Sequence, residues 1–238
     1  MDKLNKQNKV FITATDTGIG KSIFTAFLAL WHKQNGKKVA ISKPIQTGSP
    51  KDTDLLKELT GNKIPIFNTY DFSLPAAPSV ATKYENKSIE IEKIISDIRN
   101  LEKEFDVVIV EGIGGIAVPI VGNGRDHSLQ IADLIHILQY PVVIVSRPSL
   151  GTINHTVLTI EYAKQKGLNI LGFVISGYEE KTNDHVIKTA PDEITRVTNV
   201  KCLMRLPLFK EINYDSLVET LHATSLLSSK APNSLANV

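Results

Sequence analysis

Cysteine, methionine and tryptophan are rare in the chain, with one cysteine, two methionines and one tryptophan among 238 residues. A single cysteine, Cys202, excludes an internal disulfide framework and favours a reducing compartment. It lies in an apolar segment, which indicates a buried thiol rather than a nucleophile. The formal net charge of +2 is close to neutral, and no basic run suggests a nucleic-acid partner.

Long apolar segments are also missing, because no stretch reaches the roughly 20 residues that a transmembrane helix needs. The first nine residues are polar and do not resemble a signal peptide. We therefore expect a soluble cytoplasmic protein without a membrane partner. A hydrophobic content of 42% is enough for the core of one large α/β domain or two small ones.

The rest of the sequence is organised around residues 11–22. A short apolar strand runs there into a loop of small residues that ends in Gly20-Lys21-Ser22, and a helix follows directly. This order is typical of a phosphate-binding loop, in which backbone N–H groups and the helix N-terminus bind phosphate oxygens. We expect Lys21 to reach the β- and γ-phosphates and Ser22 to bind Mg²⁺. Thr15 replaces a glycine of the strict pattern, and an ordinary turn with a surface lysine is the alternative.

Predicted strands and helices alternate along the whole chain. Apolar runs predict strands at residues 10–12, 38–43, 107–110, 141–145, 169–175 and 201–205. Periodicity predicts helices at residues 23–34, 54–59, 89–104, 127–139, 151–166, 184–197 and 215–227. Residues 61–88 are predicted to be irregular and residues 228–238 to be a frayed tail. The alternation predicts a single doubly wound α/β domain over residues 1–238, with a mostly parallel sheet and helices on both faces.

Polar residues follow several predicted strands, at the edge of a parallel sheet where ligands bind. Glu111 ends a strand that is apolar on both faces and could orient Mg²⁺; a surface carboxylate is the alternative. Lys43 could neutralise charge on a transferred phosphoryl group. The alternative is that Lys43 is an ordinary solvent-exposed lysine. Asp54 could bind metal or could stabilise a helix N-terminus. Helix capping or packing explains the presence of His155 better than a catalytic role does.

Six short blocks follow one another in a recognisable order from residue 9 to residue 212. Residues 13–22 contain Thr-Asp-Thr-x-x-Gly-Lys-Ser, and residues 43–48 read Lys-Pro-x-x-Thr-Gly. The other blocks are Thr53-Asp54, Tyr-x-Phe-x-x-Pro-x-x-Pro from Tyr70, Glu-Gly-x-Gly-Gly from Glu111, and Leu-Gly-x-Ile-Asn-His from Leu150. Together these blocks resemble the dethiobiotin synthetases, a family of P-loop enzymes.

The resemblance implies an ATP-dependent cyclo-ligase of biotin biosynthesis. Its substrates would be 7,8-diaminononanoate, CO₂ or bicarbonate, and ATP, with Mg²⁺ as the cofactor. A substrate amine would become a carbamate, and the carbamate would attack the γ-phosphate to give a carbamic–phosphoric anhydride. The second amine would then close the ureido ring. The resemblance also implies a homodimer with the active site near the subunit interface.

Roles for individual residues follow from the same resemblance. Lys21 and Lys43 would stabilise charge on the phosphoryl group and the carbamate, and Ser22, Asp54 and Glu111 would hold Mg²⁺. The implied nucleotide contacts are Gly18, Ile19, Gly20, Lys21, Ser22, Ile23, Asp54, Glu111, Gly112, Ile113, Gly114, Ser176, Gly177, Leu206, Pro207 and Glu211. The implied substrate contacts are Thr17, Thr47 and Gly114 and, from the second subunit, Leu150, Gly151 and Asn154.

The sequence departs from the family pattern at three positions. Ser79 replaces a histidine, Gly18 replaces an acidic residue, and Ser176 replaces the asparagine that commonly follows the strand ending at Ile175. Serine has one hydroxyl where asparagine has a donor and an acceptor. We therefore expect a weaker preference for ATP over GTP or CTP than in relatives with asparagine.

Two functions of other classes remain as alternatives. A regulatory ATPase switch of the partitioning or metal-insertion kind usually has an extra lysine near the start of the phosphate-binding loop, and residues 14–16 contain none. A nonenzymatic binding module would not require the charged residues Lys21, Lys43 and Glu111. Whether ATP turnover depends on the diamine distinguishes the synthetase from the regulatory ATPase and the binding module.

Overall fold

The computed structural model describes residue 4, residues 6–123 and residues 127–229. The strands are β1 Lys9–Ala14, β2 Val39–Ser42, β3 Ile45–Thr47, β4 Ile66–Phe67, β5 Tyr70–Phe72, β6 Val107–Glu111, β7 Pro119–Asn123, β8 His127–Gln130, β9 Val142–Ser146, β10 Ile170–Tyr178 and β11 Cys202–Pro207. The helices are α1 Lys21–Gln34, α2 Asp52–Leu59, α3 Pro78–Tyr84, α4 Ile91–Glu104, α5 Ile131–Leu138, α6 Thr152–Gln165, α7 His185–Thr198 and α8 Tyr214–Ser229.

A seven-stranded parallel sheet with the order β11-β10-β9-β1-β6-β2-β4 forms the centre of the molecule. Strands β1, β6, β2 and β4 form one half of this sheet, and strands β9, β10 and β11 form the other half. Strand β1 lies at the junction, where ligands bind in open α/β sheets. This arrangement confirms the predicted doubly wound α/β fold.

Each face of the sheet is covered by helices, and strand alternation assigns side chains to the two faces. In β1, Phe11 packs into the cluster that includes Ile98 of α4 and Ile135 of α5. Its neighbour Ile12 packs into the opposite cluster, with Phe24 of α1 and further residues of α2 and α8. Because one apolar cluster covers each face of the sheet, the central strands are buried on both faces, as their continuous apolar sequences predict.

Several predicted boundaries were wrong. Residues 61–88 contain β4, β5 and α3 rather than irregular structure. Residues 127–130, predicted to start a helix, form β8, which pairs antiparallel with β7. The helix begins only at Ile131, because Gln130 and Asp133 form a capping box at that point.

Residues 228 and 229, where the predicted frayed tail begins, are the last two residues of α8. The other tail positions, 230–238, lie outside the described residues. The assignment of residues 1–238 to one domain stays a prediction. Within the described parts of the chain, no helix is both long enough and apolar enough to cross a membrane.

Candidate active site

The phosphate-binding loop connects β1 to α1 and lies at the carboxyl edge of the central sheet. Gly20, the residue before α1, has a φ of 94°. A Cβ atom at this position would lie 2.2 Å from Oγ of Ser176. Both the left-handed backbone and this close approach require glycine. The loop therefore keeps its tight turn and its contact with β10.

Lys21 is the first residue of α1 and is only 7% exposed. Its Nζ donates a hydrogen bond to the backbone oxygen of Asp16, at 3.2 Å. Burial, followed by the nearby Lys43 ammonium, lowers the pKa of Lys21 to about 8. A bound triphosphate would bring negative charge next to Lys21 and so favour the charged form of the lysine.

Lys43, Glu111 and Ser22 form a buried hydrogen-bonded cluster beneath the loop. The strands β1, β2 and β6 are neighbours, so their carboxyl ends bring these residues together. Oε1 of Glu111 accepts hydrogen bonds from Nζ of Lys43 at 2.8 Å and from Oγ of Ser22 at 2.9 Å. Lys43 also donates to the backbone oxygen of Gly112, at 3.1 Å. Burial alone would lower the pKa of Lys43, but Glu111 and Asp52 outweigh it, so the pKa is raised and the ammonium stays charged.

The second carboxylate oxygen of Glu111, Oε2, is buried and has no hydrogen-bond partner among the described residues. An unpaired charged oxygen is costly to bury, so it fits a cation ligand. Within the described ranges, no three side chains of His, Cys, Asp or Glu lie close enough to form a metal site by themselves. Mg²⁺ does not need such a cage, because it is commonly bound by one or two protein oxygens together with substrate phosphates and water.

The structure brings Asp52 to this cluster and leaves Asp54 outside it. Oδ2 of Asp52 lies 2.5 Å from Nζ of Lys43. The Asp54 side chain is 66% exposed and forms an ion pair with Lys57. Helix α2 begins at Asp52, two residues earlier than expected, and residues two apart lie on nearly opposite sides of a helix. Asp54 therefore faces away from the cluster, which departs from its expected role as a metal ligand.

A cavity of about 650 Å³ opens beside the loop and contains the predicted substrate contacts Thr17, Thr47 and Gly114. Its polar end is formed by Lys21, Ser22 and Asp52. Apolar side chains cover the rest of the wall; they are Pro50, Leu55, Pro75, Ala76, Ala77, Ile113 and Val118. A small molecule with polar reacting groups and an apolar chain fits this combination.

A second cavity, of about 310 Å³, lies on the other side of the loop and shares Gly18, Gly20 and Ile23 with the first. The predicted base contacts Ser176, Gly177 and Pro207 line it. Two other predicted contacts do not: Leu206 is fully buried in the core and Glu211 is exposed outside the cavity.

Sequence reasoning missed further residues of the second cavity: Arg147, Pro148, Leu208, Phe209 and Ile212. Arg147 follows the carboxyl end of β9 directly, so its position in the sequence was an available signal. Its Nη2 donates to Oδ2 of Asp16 at 2.8 Å and ties this strand end to the phosphate-binding loop.

The predicted intersubunit residues Leu150, Gly151 and Asn154 lie at the start of α6 and do not line the two cavities described above. Leu150 is 87% exposed, and Leu158 on the same helix is 61% exposed. The exposed leucines are consistent with the expected contact to a second subunit.

The family model described as an AAA domain matches residues 8–215. Three relatives named ATP-dependent dethiobiotin synthetase BioD align over most of their length. The protein of Thermodesulfovibrio yellowstonii is 36% identical over 88% of this chain and 92% of its own. The protein of Methanocaldococcus jannaschii is 38% identical over 78% of this chain and 91% of its own. The protein of Bacillus subtilis strain 168 is 35% identical over 87% of this chain and 90% of its own. This chain belongs to the ATP-dependent dethiobiotin synthetase family.

Membership of this synthetase family identifies an ATP-dependent ligase of biotin biosynthesis. Solved structures of a cell-division protein and a ParA family ATPase show similarity to this chain at the level of the fold alone. MinD of Aquifex aeolicus aligns with a TM-score of 0.56 at 13% identity and covers 95% of this chain and 99% of its own. A ParA family ATPase of Chlorobium tepidum TLS aligns with a TM-score of 0.54 at 17% identity, covering 97% and 94%.

Proposed function

We propose that this synthetase closes the ureido ring of dethiobiotin from 7,8-diaminononanoate, CO₂ or bicarbonate, and ATP, with Mg²⁺. The observation that carries the proposal is the buried Lys43–Glu111–Ser22 cluster beneath the phosphate-binding loop, whose Ser22 also lines the 650 Å³ cavity. Phosphate-binding and carbamate-stabilising groups would then share one site. The apolar wall of the cavity suits the alkyl chain of the diamine.

The proposed pose runs through both cavities. The triphosphate lies on the loop over Lys21, the base enters the 310 Å³ cavity, and the diamine occupies the 650 Å³ cavity with its reacting amines near Thr17 and Thr47. Ser22, Glu111 and Asp52 would hold Mg²⁺, which would shield the phosphate charges when bound. Asp54 would require a change in the first turn of α2 to join them.

The chemistry follows from this pose. An amine of the diamine adds to CO₂ and loses a proton to become a carbamate. A carbamate oxygen attacks the γ-phosphorus, and ADP leaves with the electrons of the broken P–O bond. The second amine attacks the carbonyl carbon of the mixed anhydride and loses a proton, and inorganic phosphate departs with the electrons of the broken C–O bond as the ring closes. Lys21 donates hydrogen bonds to the oxygens on which negative charge accumulates. The three donors of Lys43 are bound to Glu111, Asp52 and the Gly112 backbone oxygen, so Lys43 would join Lys21 by exchanging its Asp52 contact for a substrate oxygen.

The completed site is proposed to need a second subunit, since the start of α6 lies outside the cavities of a single chain. The N-terminus of α6 suits the carboxylate of the diamine, because helix N-termini carry partial positive charge.

Steady-state ADP release tests the proposal. With Mg²⁺ and bicarbonate present, adding the diamine should raise the rate strongly, and a diamine of the same length without the carboxylate should be a poorer activator. ATP turnover that ignores the diamine but responds to a protein partner would support the regulatory ATPase instead.

A further inference from the structure

Arg147 is the charged side chain of the smaller cavity, and none of the roles derived so far uses it. It lies at the carboxyl end of β9, beside Pro148, and lines the same cavity as Ser176. Nη2 is bound to Asp16, which leaves other N–H groups of the guanidinium available to a ligand. The Asp16 carboxylate also accepts a hydrogen bond from the Thr17 backbone at 2.7 Å, so the partner that orients Arg147 is itself held in place.

The polar groups at this cavity therefore favour hydrogen-bond acceptors on a ligand. Arginine can only donate, and the Ser176 hydroxyl can donate or accept. Ser176 is close against Gly20, which leaves little space on that side for the larger amide of an asparagine. Where the family's usual asparagine offers both a donor and an acceptor, this chain offers a serine and a guanidinium.

We propose that Arg147 determines base specificity and extends the nucleotide range of this enzyme to guanine nucleotides. The inference rests on the proposed pose, in which the base enters the smaller cavity. The outer edge of guanine presents two adjacent acceptors, O6 and N7, which match the parallel N–H donors of a guanidinium. Adenine presents one acceptor and one amine donor on the same edge, so it offers a guanidinium one hydrogen bond fewer.

Equilibrium binding of fluorescently labelled GDP and ADP to the full chain tests this assignment without requiring catalysis. The wild-type protein should bind the two nucleotides within about 10-fold of each other, and Arg147→Met should weaken GDP relative to ADP by roughly 10-fold or more. Arg147→Lys keeps the charge but lacks the planar fork, so it should also lower the ratio of GDP to ADP affinity.

Asp16→Asn is the matched control, because it breaks the ion pair and keeps the guanidinium. If Arg147 contacts the base, Asp16→Asn should change both affinities by a similar factor and leave their ratio nearly unchanged. Equal weakening of GDP and ADP in Arg147→Met, or a wild-type preference for ADP above about 10-fold, would overturn the assignment.

The same preparations separate this inference from the proposed function. Formation of dethiobiotin with ATP, together with failure to bind GDP, would refute only the role of Arg147. Comparable binding of both nucleotides without any dethiobiotin would refute only the proposed reaction. Ratios of kcat/KM for GTP and ATP should follow the binding ratios, since a specificity residue changes the ratio between two substrates.

Discussion

Nζ of Lys43 lies 2.8 Å from Oε1 of Glu111, and both side chains are completely buried. Removing two opposite charges from water costs several kcal/mol per ion, and the attraction between them often only balances that cost. Such a pair adds little to stability compared with an apolar pair of the same size. Its position below the phosphate-binding loop gives it a chemical use, because the lysine supplies positive charge and the glutamate keeps an unpaired oxygen for a cation.

Replacing Lys43 with methionine should reduce turnover by about 10²–10³-fold, since one group that stabilises developing charge is lost. Nucleotide binding should change little, because Lys21 and the loop remain. The variant should also be less stable by about 3 kcal/mol, because Glu111 becomes an unpaired buried charge. Urea unfolding and kcat measure the two effects.

The double variant Lys43→Met/Glu111→Gln separates stability from chemistry. It should recover part of the lost stability, because no buried charge is left unpaired, while turnover should stay low. Near-wild-type turnover in Lys43→Met would show that the lysine has only a structural role.

Asp52 should matter more for turnover than Asp54. Asp52 forms an ion pair with Lys43, whereas Asp54 is exposed and pairs with Lys57. Asp52→Asn should lower kcat and raise the Mg²⁺ concentration required for half-maximal activity. Asp54→Asn is the matched substitution, with the same chemistry two residues away, and should have the smaller effect. The reverse order would restore Asp54 as the metal ligand implied by the family pattern.

Nucleotide affinity should fall as the pH rises through the pKa of Lys21. In the free protein this pKa is lowered to about 8, so the lysine loses its charge above that pH. Only the charged form attracts phosphate, so the Kd for MgADP should increase progressively between pH 8 and 10. Lys21→Arg keeps its charge throughout this range, and any binding that it retains should depend little on pH. A wild-type Kd that is constant from pH 7 to 10 would contradict the account.

The start of α6 should form part of a subunit interface. Sedimentation velocity should show a dimer, and Leu150→Glu should shift it toward monomer with loss of activity, since Leu150 is 87% exposed in the single chain. Val197→Glu on α7 is the control, because Val197 is another exposed apolar residue, at 53%, outside this region. An active wild-type monomer at assay concentration would disprove the interface.

The loop, the other six strands of the central sheet and most of their ends were predicted well from the sequence, because local signals determine them, whereas the edge strand β4 was missed. Glycine spacing fixes the turn at Gly20, and continuous apolar runs identify buried strands such as β6. The role of Asp52 could not be predicted, because it depends on the residue at which α2 begins, and a shift of two residues reverses the face of a helix. Arg147 reaches its position through the order of strands in the sheet, which motif spacing does not report. The hairpin of β7 and β8 was missed because β8 was assigned to the start of the helix predicted at residues 127–139 and no strand was predicted at residues 119–123.

Mass spectrometry of the product formed from ¹³C-bicarbonate tests the proposed reaction most directly. With the diamine, ATP and Mg²⁺, we predict dethiobiotin that is one mass unit heavier than the unlabelled compound, in amounts equal to the ADP released. The heavy atom should lie in the ureido carbonyl, because that carbon alone comes from CO₂. ADP formed without a labelled product, or a product that lacks the heavy carbon, would contradict ring closure through a carbamate.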